Sequence, residues 1–97
     1  MAHYVMLLKF TDQGIRNVKD TTKRAAAFSE MASKMGAKIN NFLWTLGQYD
    51  LVAMAEAPND ETIATLAIAV GKLGNVSVQT LRGFTSSEMD GILKKAG

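Results

Sequence analysis

Two segments of helical period, each enclosed between strand-like segments, constrain this chain more than any other feature. Phe28, Met31, Ala32 and Met35 fall at i, i+3, i+4 and i+7, the spacing of one buried helical stripe. Ile63, Leu66, Ala67 and Val70 repeat that spacing. Asp20, Thr21 or Thr22 can cap the first helix and Gly36 can end it in the left-handed conformation; Asn59 or Asp60 and Gly74 do the same for the second. Around them stand HYVMLLKFT (3–11), KINNFLWT (38–45), YDLVAMAEA (49–57) and VSVQTLRGF (76–84), with the length and the β-branched and aromatic content of strands. The polar connection TDQGIRN has room for a short helical turn around Ile15. A terminal helix starts at Ser86 or Ser87, with Glu88 and Asp90 in its first turn and Lys94 and Lys95 in its last, which suits the helix dipole.

The order is therefore β-α-β-β-α-β with a tail helix. Right-handed crossovers and a central hairpin convert it into an α+β, ferredoxin-like sandwich: a four-stranded antiparallel sheet, two helices on one face, and the short C-terminal helix. Ninety-seven residues suffice for one core, so the expectation is a single domain over 1–97. The hairpin turns at Leu46-Gly47-Gln48, where Gly47 supplies a positive φ. A two-residue turn and a four-residue loop over 46–49 give one register, with Thr45 opposite Asp50, Trp44 opposite Leu51 and Leu43 opposite Val52. Thr45 is then the expected hydroxyl partner of Asp50.

Both sides of the sheet read as apolar. The first strand offers Tyr4, Met6, Leu8 and Phe10 on one side and Val5 and Leu7 on the other; the hairpin offers Phe42, Trp44, Leu51 and Ala53 against Leu43, Val52 and Met54. Val76, Val78 and Phe84 stand against Leu81 in the last strand. Two helices of about 15 residues, each about 10 Å wide, roof only one side of a sheet measuring about 23 by 19 Å. The face without a roof, roughly 400 Å² and taken as the aromatic-rich one, is expected to pair with a second subunit. Leu51 is placed in that seam, and Tyr4, Trp44 and Arg82 line a cavity within it. The competing reading folds the tail helix back over the sheet through Met89, Ile92 and Leu93.

Several function classes drop out. Without cysteine there is no disulfide framework or thiolate site. The apolar runs are far short of the roughly 20 residues that cross a bilayer, and the basic n-region of a signal peptide is lacking, so the expected setting is cytoplasmic, with no membrane partner. A net charge of +2 implies no polyanionic partner. Residues 1–46 hold seven basic and three acidic side chains, whereas 47–97 hold four and six, an asymmetry that could help two subunits meet. RNA-recognition domains share the element order but need interleaved aromatics on the third strand, which YDLVAMAEA lacks, so no nucleic acid is expected. His3 stands alone and argues against a zinc or haem site; no metal or cofactor is implied. Lys9, Asp12, Gln13, Gly14, Arg16 and Asn17 form a polar loop without a Walker pattern, read as a solvated connection. The serines have no nucleophile-elbow motif.

Tyr49 and Asp50 are the clearest candidates for chemistry, a phenol and a carboxylate at a sheet end, able to orient or deprotonate a small ligand. The structural alternative makes Tyr49 a packed aromatic and Asp50 an acceptor for turn amides. Arg82 in an apolar strand needs an anion if buried, with Asp50, Glu56 or a ligand available. If it lies on an edge strand, it snorkels to water.

LLKFTDQGIRNVKDTTKRAAAF (7–28), LGQYDLVAMAEAP (46–58) and LGNVSVQTLRGFT (73–85) are similar to the GYD domain family, whose Gly-x-Tyr-Asp signature stands here as Gly47-Gln48-Tyr49-Asp50. The resemblance spans nearly the whole chain. It implies a ferredoxin-like fold akin to the dimeric α/β barrels, in which two sheets pack face to face, and it brings no catalytic residues. Two functional expectations follow. One is an oligomer that binds a small ligand between packed sheets, near Tyr4, Trp44, Tyr49, Asp50 and Arg82; fold analogy alone links it to cofactor-independent oxygenases or isomerases. The other is a non-catalytic oligomeric sensor or interaction module with a dry seam.

Overall fold

A computed structural model describes all of residues 1–97. The chain runs β1 (Ala2–Phe10), α1 (Asp12–Arg16), a 3₁₀ turn (Val18–Asp20), α2 (Thr21–Lys34), β2 (Lys38–Trp44), β3 (Leu51–Ala57), α3 (Asp60–Gly71), β4 (Val76–Gly83) and α4 (Ser86–Ala96). All neighbouring strands pair antiparallel, in the order β2-β3-β1-β4. This is the ferredoxin-like sandwich that the element order implies.

The core follows from alternation along the two central strands. Tyr4, Met6 and Leu8 on β1 and Leu51, Ala53, Ala55 and Ala57 on β3 are buried with Phe28 and Ala32 of α2 and with Ile63 and Leu66 of α3. The alanines on β3 leave the room beneath the helices that a bulkier row would fill. Met6, Leu8 and Leu66 are the largest side chains fully removed from water.

The hairpin keeps the expected register, with Leu43 opposite Val52 and Trp44 opposite Leu51. The Thr45 amide donates to the Asp50 carbonyl at 2.9 Å, which closes a four-residue loop around Gly47 at φ +102°. One irregularity escapes simple alternation. A bulge between Ile39 and Asn41 inserts Asn40, so that Ile39 and Phe42 both pack on the helix side although their numbers differ in parity. Phe42 meets Phe28 edge-on, with ring centroids 5.8 Å apart.

The polar loop after β1 is a five-residue helix, α1, capped by the Thr11 side chain, which accepts from the Gly14 amide. It ties the end of β1 to the start of β4. The Thr11 amide donates to the Asn75 carbonyl at 3.1 Å, and the Thr11 hydroxyl donates to the Gly74 carbonyl. Gly14 is buried against that strap; a Cβ there would lie 1.9 Å from the Asn75 carbonyl oxygen, an obstacle that only backbone movement removes. Gly14→Ala should therefore destabilise the fold by about 1–3 kcal/mol. An unchanged denaturation midpoint would contradict the close approach.

Thr85 and Glu88 form a reciprocal capping box that starts α4. The backbone amide of Thr85 donating to Glu88 holds its carboxyl below the usual range. Met89, Ile92 and Leu93 remain exposed, and the molecule measures 50 by 30 by 19 Å. Thus α4 extends away from the sheet, and the fold-back reading is not what the chain adopts. No helix is long and apolar enough to cross a membrane.

Candidate functional site

Strand parity decides what each candidate residue can reach. The aromatic-rich row is the roofed one, contrary to the expectation from sequence. Leu51 is 3% exposed, in the core beneath the helices and not in an intersubunit seam. The open face is mainly aliphatic instead, with Tyr49 reaching across it to Gln79: Val5, Leu7 and Val52 are half-buried, while Leu43, Met54 and Leu81 are exposed. The misassignment has a physical source. Both rows are apolar, and only packing against α2 and α3 tells them apart.

Tyr4, Trp44 and Arg82 consequently lie on the helix side, Arg82 beside Tyr4 as its cross-strand partner and Trp44 apart on the opposite edge strand. Tyr4 is buried, and its hydroxyl donates to Asp60 Oδ1 at 2.5 Å. That bond, with burial second, raises the phenol above its ordinary pKa. Because the folded value is the higher, the stabilisation is complete below about pH 10 and is lost as pH rises through the folded value. Trp44 Nε1 donates to Thr21 Oγ1 at 2.9 Å, and the ring leans on Phe42 at 5.4 Å. Arg82 is exposed. It lies 4.6 Å from the Phe84 ring centroid and 5.6 Å from that of Tyr4, donates to the carbonyls of His3 and Gly83, and pairs with Glu88 at 3.9 Å. Neither Asp50 nor Glu56 is its partner. Glu56 instead accepts from Asn40 at 2.9 Å, which lowers its carboxyl pKa, and lies 3.9 Å from His3.

Tyr49 and Asp50 each tie the hairpin to another strand of the sheet. The Tyr49 hydroxyl donates to Gln79 Oε1 at 2.6 Å, reaching from the hairpin over β1 to β4. The Asp50 amide donates to the Leu8 carbonyl at 2.9 Å, and its carboxylate accepts from the Phe10 amide at 2.8 Å. The side chain thereby continues the β1–β3 ladder one step beyond the Leu8–Leu51 pair, before β3 begins. Thr45 is not its partner, because the Thr45 hydroxyl donates to the Tyr49 carbonyl at 2.6 Å. Asp50→Ala leaves the Phe10 amide without its acceptor and should cost about 1–3 kcal/mol, measured by urea denaturation. A neutral substitution would show that water replaces the carboxylate there.

A cavity of about 130 Å³, not foreseen from the sequence, lies between the helix layer and the sheet. Leu8, Leu51 and Val76 form its floor, Phe28 and Met31 one wall and Val70 the other. Polar groups enter its lining only from Thr21, Arg24 and Asn75. Arg24 is half-buried and donates to the carbonyls of Asn17 at 2.7 Å and Gly14 at 3.2 Å. The spacing did hold a signal. Arg24 stands four residues before Phe28, on the buried stripe, and is followed by alanines at 25, 26 and 27 too small to fill the space beside it. Toluene titrated into labelled protein should shift the amides of Phe28, Leu51 and Val76, and Ala25→Leu should suppress the effect. Unmoved amides would mean that the cavity does not accept a guest.

Residues 4–93 match the GYD domain. The chain belongs to the GYD domain family. No curated protein matches it. Among solved structures it resembles the crystal structure of FFRP-DM1 with a TM-score of 0.60 at 15% identity, over 87% of this chain and 100% of that one. It also resembles the hypothetical protein PHS023 from Pyrococcus horikoshii, with a TM-score of 0.56 at 15% identity, over 89% and 93% of the two chains. At such identities the likeness concerns the fold alone. In this GYD domain Gly47 permits the loop, Tyr49 spans the sheet and Asp50 completes a ladder.

Proposed function

We propose that this GYD domain protein is a cytoplasmic small-molecule-binding protein that works as a self-paired oligomer. The ligand occupies the cavity inside each subunit rather than a layer between two sheets. The cavity itself carries the reading: its volume approaches that of a buried apolar site known to admit benzene, roughly 150 Å³. Its lining includes a hydroxyl, a guanidinium and an amide but no carboxylate or imidazole to exchange a proton. That composition favours binding over acid–base catalysis.

Pairing rests on area. Two open faces joined alone bury on the order of 800 Å², the scale of a lattice contact. The tail helix corrects the deficit. Met89, Ile92 and Leu93 form an apolar stripe at i, i+3 and i+4 on an 11-residue helix that its own subunit leaves uncovered. If each α4 lies along the partner, the total rises to roughly 1,500 Å², within the range of stable dimers. The second copy is thus the occupant that both uncovered surfaces fit.

Met54→Asp, on the open face and outside the core, should leave the fold intact and raise the dissociation constant by about two orders of magnitude or more. Light scattering at several concentrations reads the result. An identical mass for wild type and variant would end the pairing proposal.

A further inference from the structure

The cavity's polar lining has one sign. Arg24 uses two N–H groups on the carbonyls of Asn17 and Gly14, and neither ion pair of the chain involves it. A guanidinium carries five N–H donors, so several remain for a guest. Thr21 Oγ1 already accepts from Trp44, which leaves its hydroxyl hydrogen to donate. Asn75 Oδ1 accepts from Gln13 Nε2 at 3.0 Å, which leaves the Asn75 amide hydrogens free as donors. An apolar chamber of about 130 Å³ therefore has donors on Thr21, Arg24 and Asn75 and a positive charge without a carboxylate.

We infer that the cavity takes a small monocarboxylate with an apolar body about the size of one ring, its carboxylate on Arg24 with Thr21 and Asn75, and its body against Phe28 and Leu51. This rests on the small-molecule reading and names the ligand class for the same site. Charge-assisted bonds from a guanidinium supply affinity that a neutral ligand of equal shape cannot match. The structural duty of Arg24, holding α1 to the start of α2, is compatible with this role, because it orients the guanidinium before a ligand arrives.

The test compares benzoate, benzyl alcohol and toluene as probes of the full chain, by amide shifts and calorimetry. Benzoate should bind at least about tenfold more tightly than benzyl alcohol. Arg24→Gln should remove that advantage, with benzoate losing more affinity than toluene, and Arg24→Lys should restore part of it. Equal affinity for benzoate and benzyl alcohol in the wild type, with toluene bound, overturns the carboxylate assignment and leaves the cavity reading standing. Failure of all three probes overturns both. If Arg24→Gln does not fold, the wild-type ratio alone decides.

Discussion

The parity of the β1–β3 ladder is the constraint on which everything else in this GYD domain depends. Pairing Tyr4 with Ala55, Met6 with Ala53 and Leu8 with Leu51 sends those residues under the helices. The same register turns Val5, Leu7, Val52 and Met54 outward. A slip of one residue would exchange the two sets and leave α2 and α3 without the surface they cover. Asp50 guards that register at the hairpin end by accepting from the Phe10 amide before β3 begins.

From that register the division of the molecule follows. The helix side holds the aromatic cluster of Phe28, Phe42 and Trp44 and, beside it, a space that small residues fail to fill. At one end of the sheet Thr11 ties β1 to the start of β4 through the Gly74 and Asn75 carbonyls, with Gly14 packed against that strap. That strap ends at Asn75, in the cavity lining, so collapse there would require the strap to move. The open side has no such closure within one chain, and α4 leaves its apolar stripe equally uncovered.

The element order, the hairpin register, the Asn59 cap, the helix ends at Gly36 and Gly74 and the Gly47 turn were legible in the sequence because each is local chemistry, whereas Asp20 makes no cap bond to α2 and Thr85, not Ser86 or Ser87, caps α4. The faces were less so. Both rows of every strand are apolar, and nothing in an alternating pattern states which row the helices choose. Arg82 illustrates the difficulty: its partner Glu88 lies in the following helix, a pairing set by the turn at Thr85. The cavity left only the Arg24 spacing as a trace because it is a deficit of volume, visible only when Ala25, Val70 and Val76 are brought around one point. The bulge at Asn40 reversed the parity of β2 midway, which strict alternation cannot register.

Methionine oxidation, mapped by peptide mass as a function of protein concentration, tests the face assignment and its closure together. Met6 is fully buried on the helix side, whereas Met54 is 46% exposed on the open side of a single subunit. Met6 should resist peroxide at every concentration, and Met54 should be shielded in concentrated protein and become reactive on dilution. Equal reactivity of Met54 across the whole range would show that no second copy covers that face.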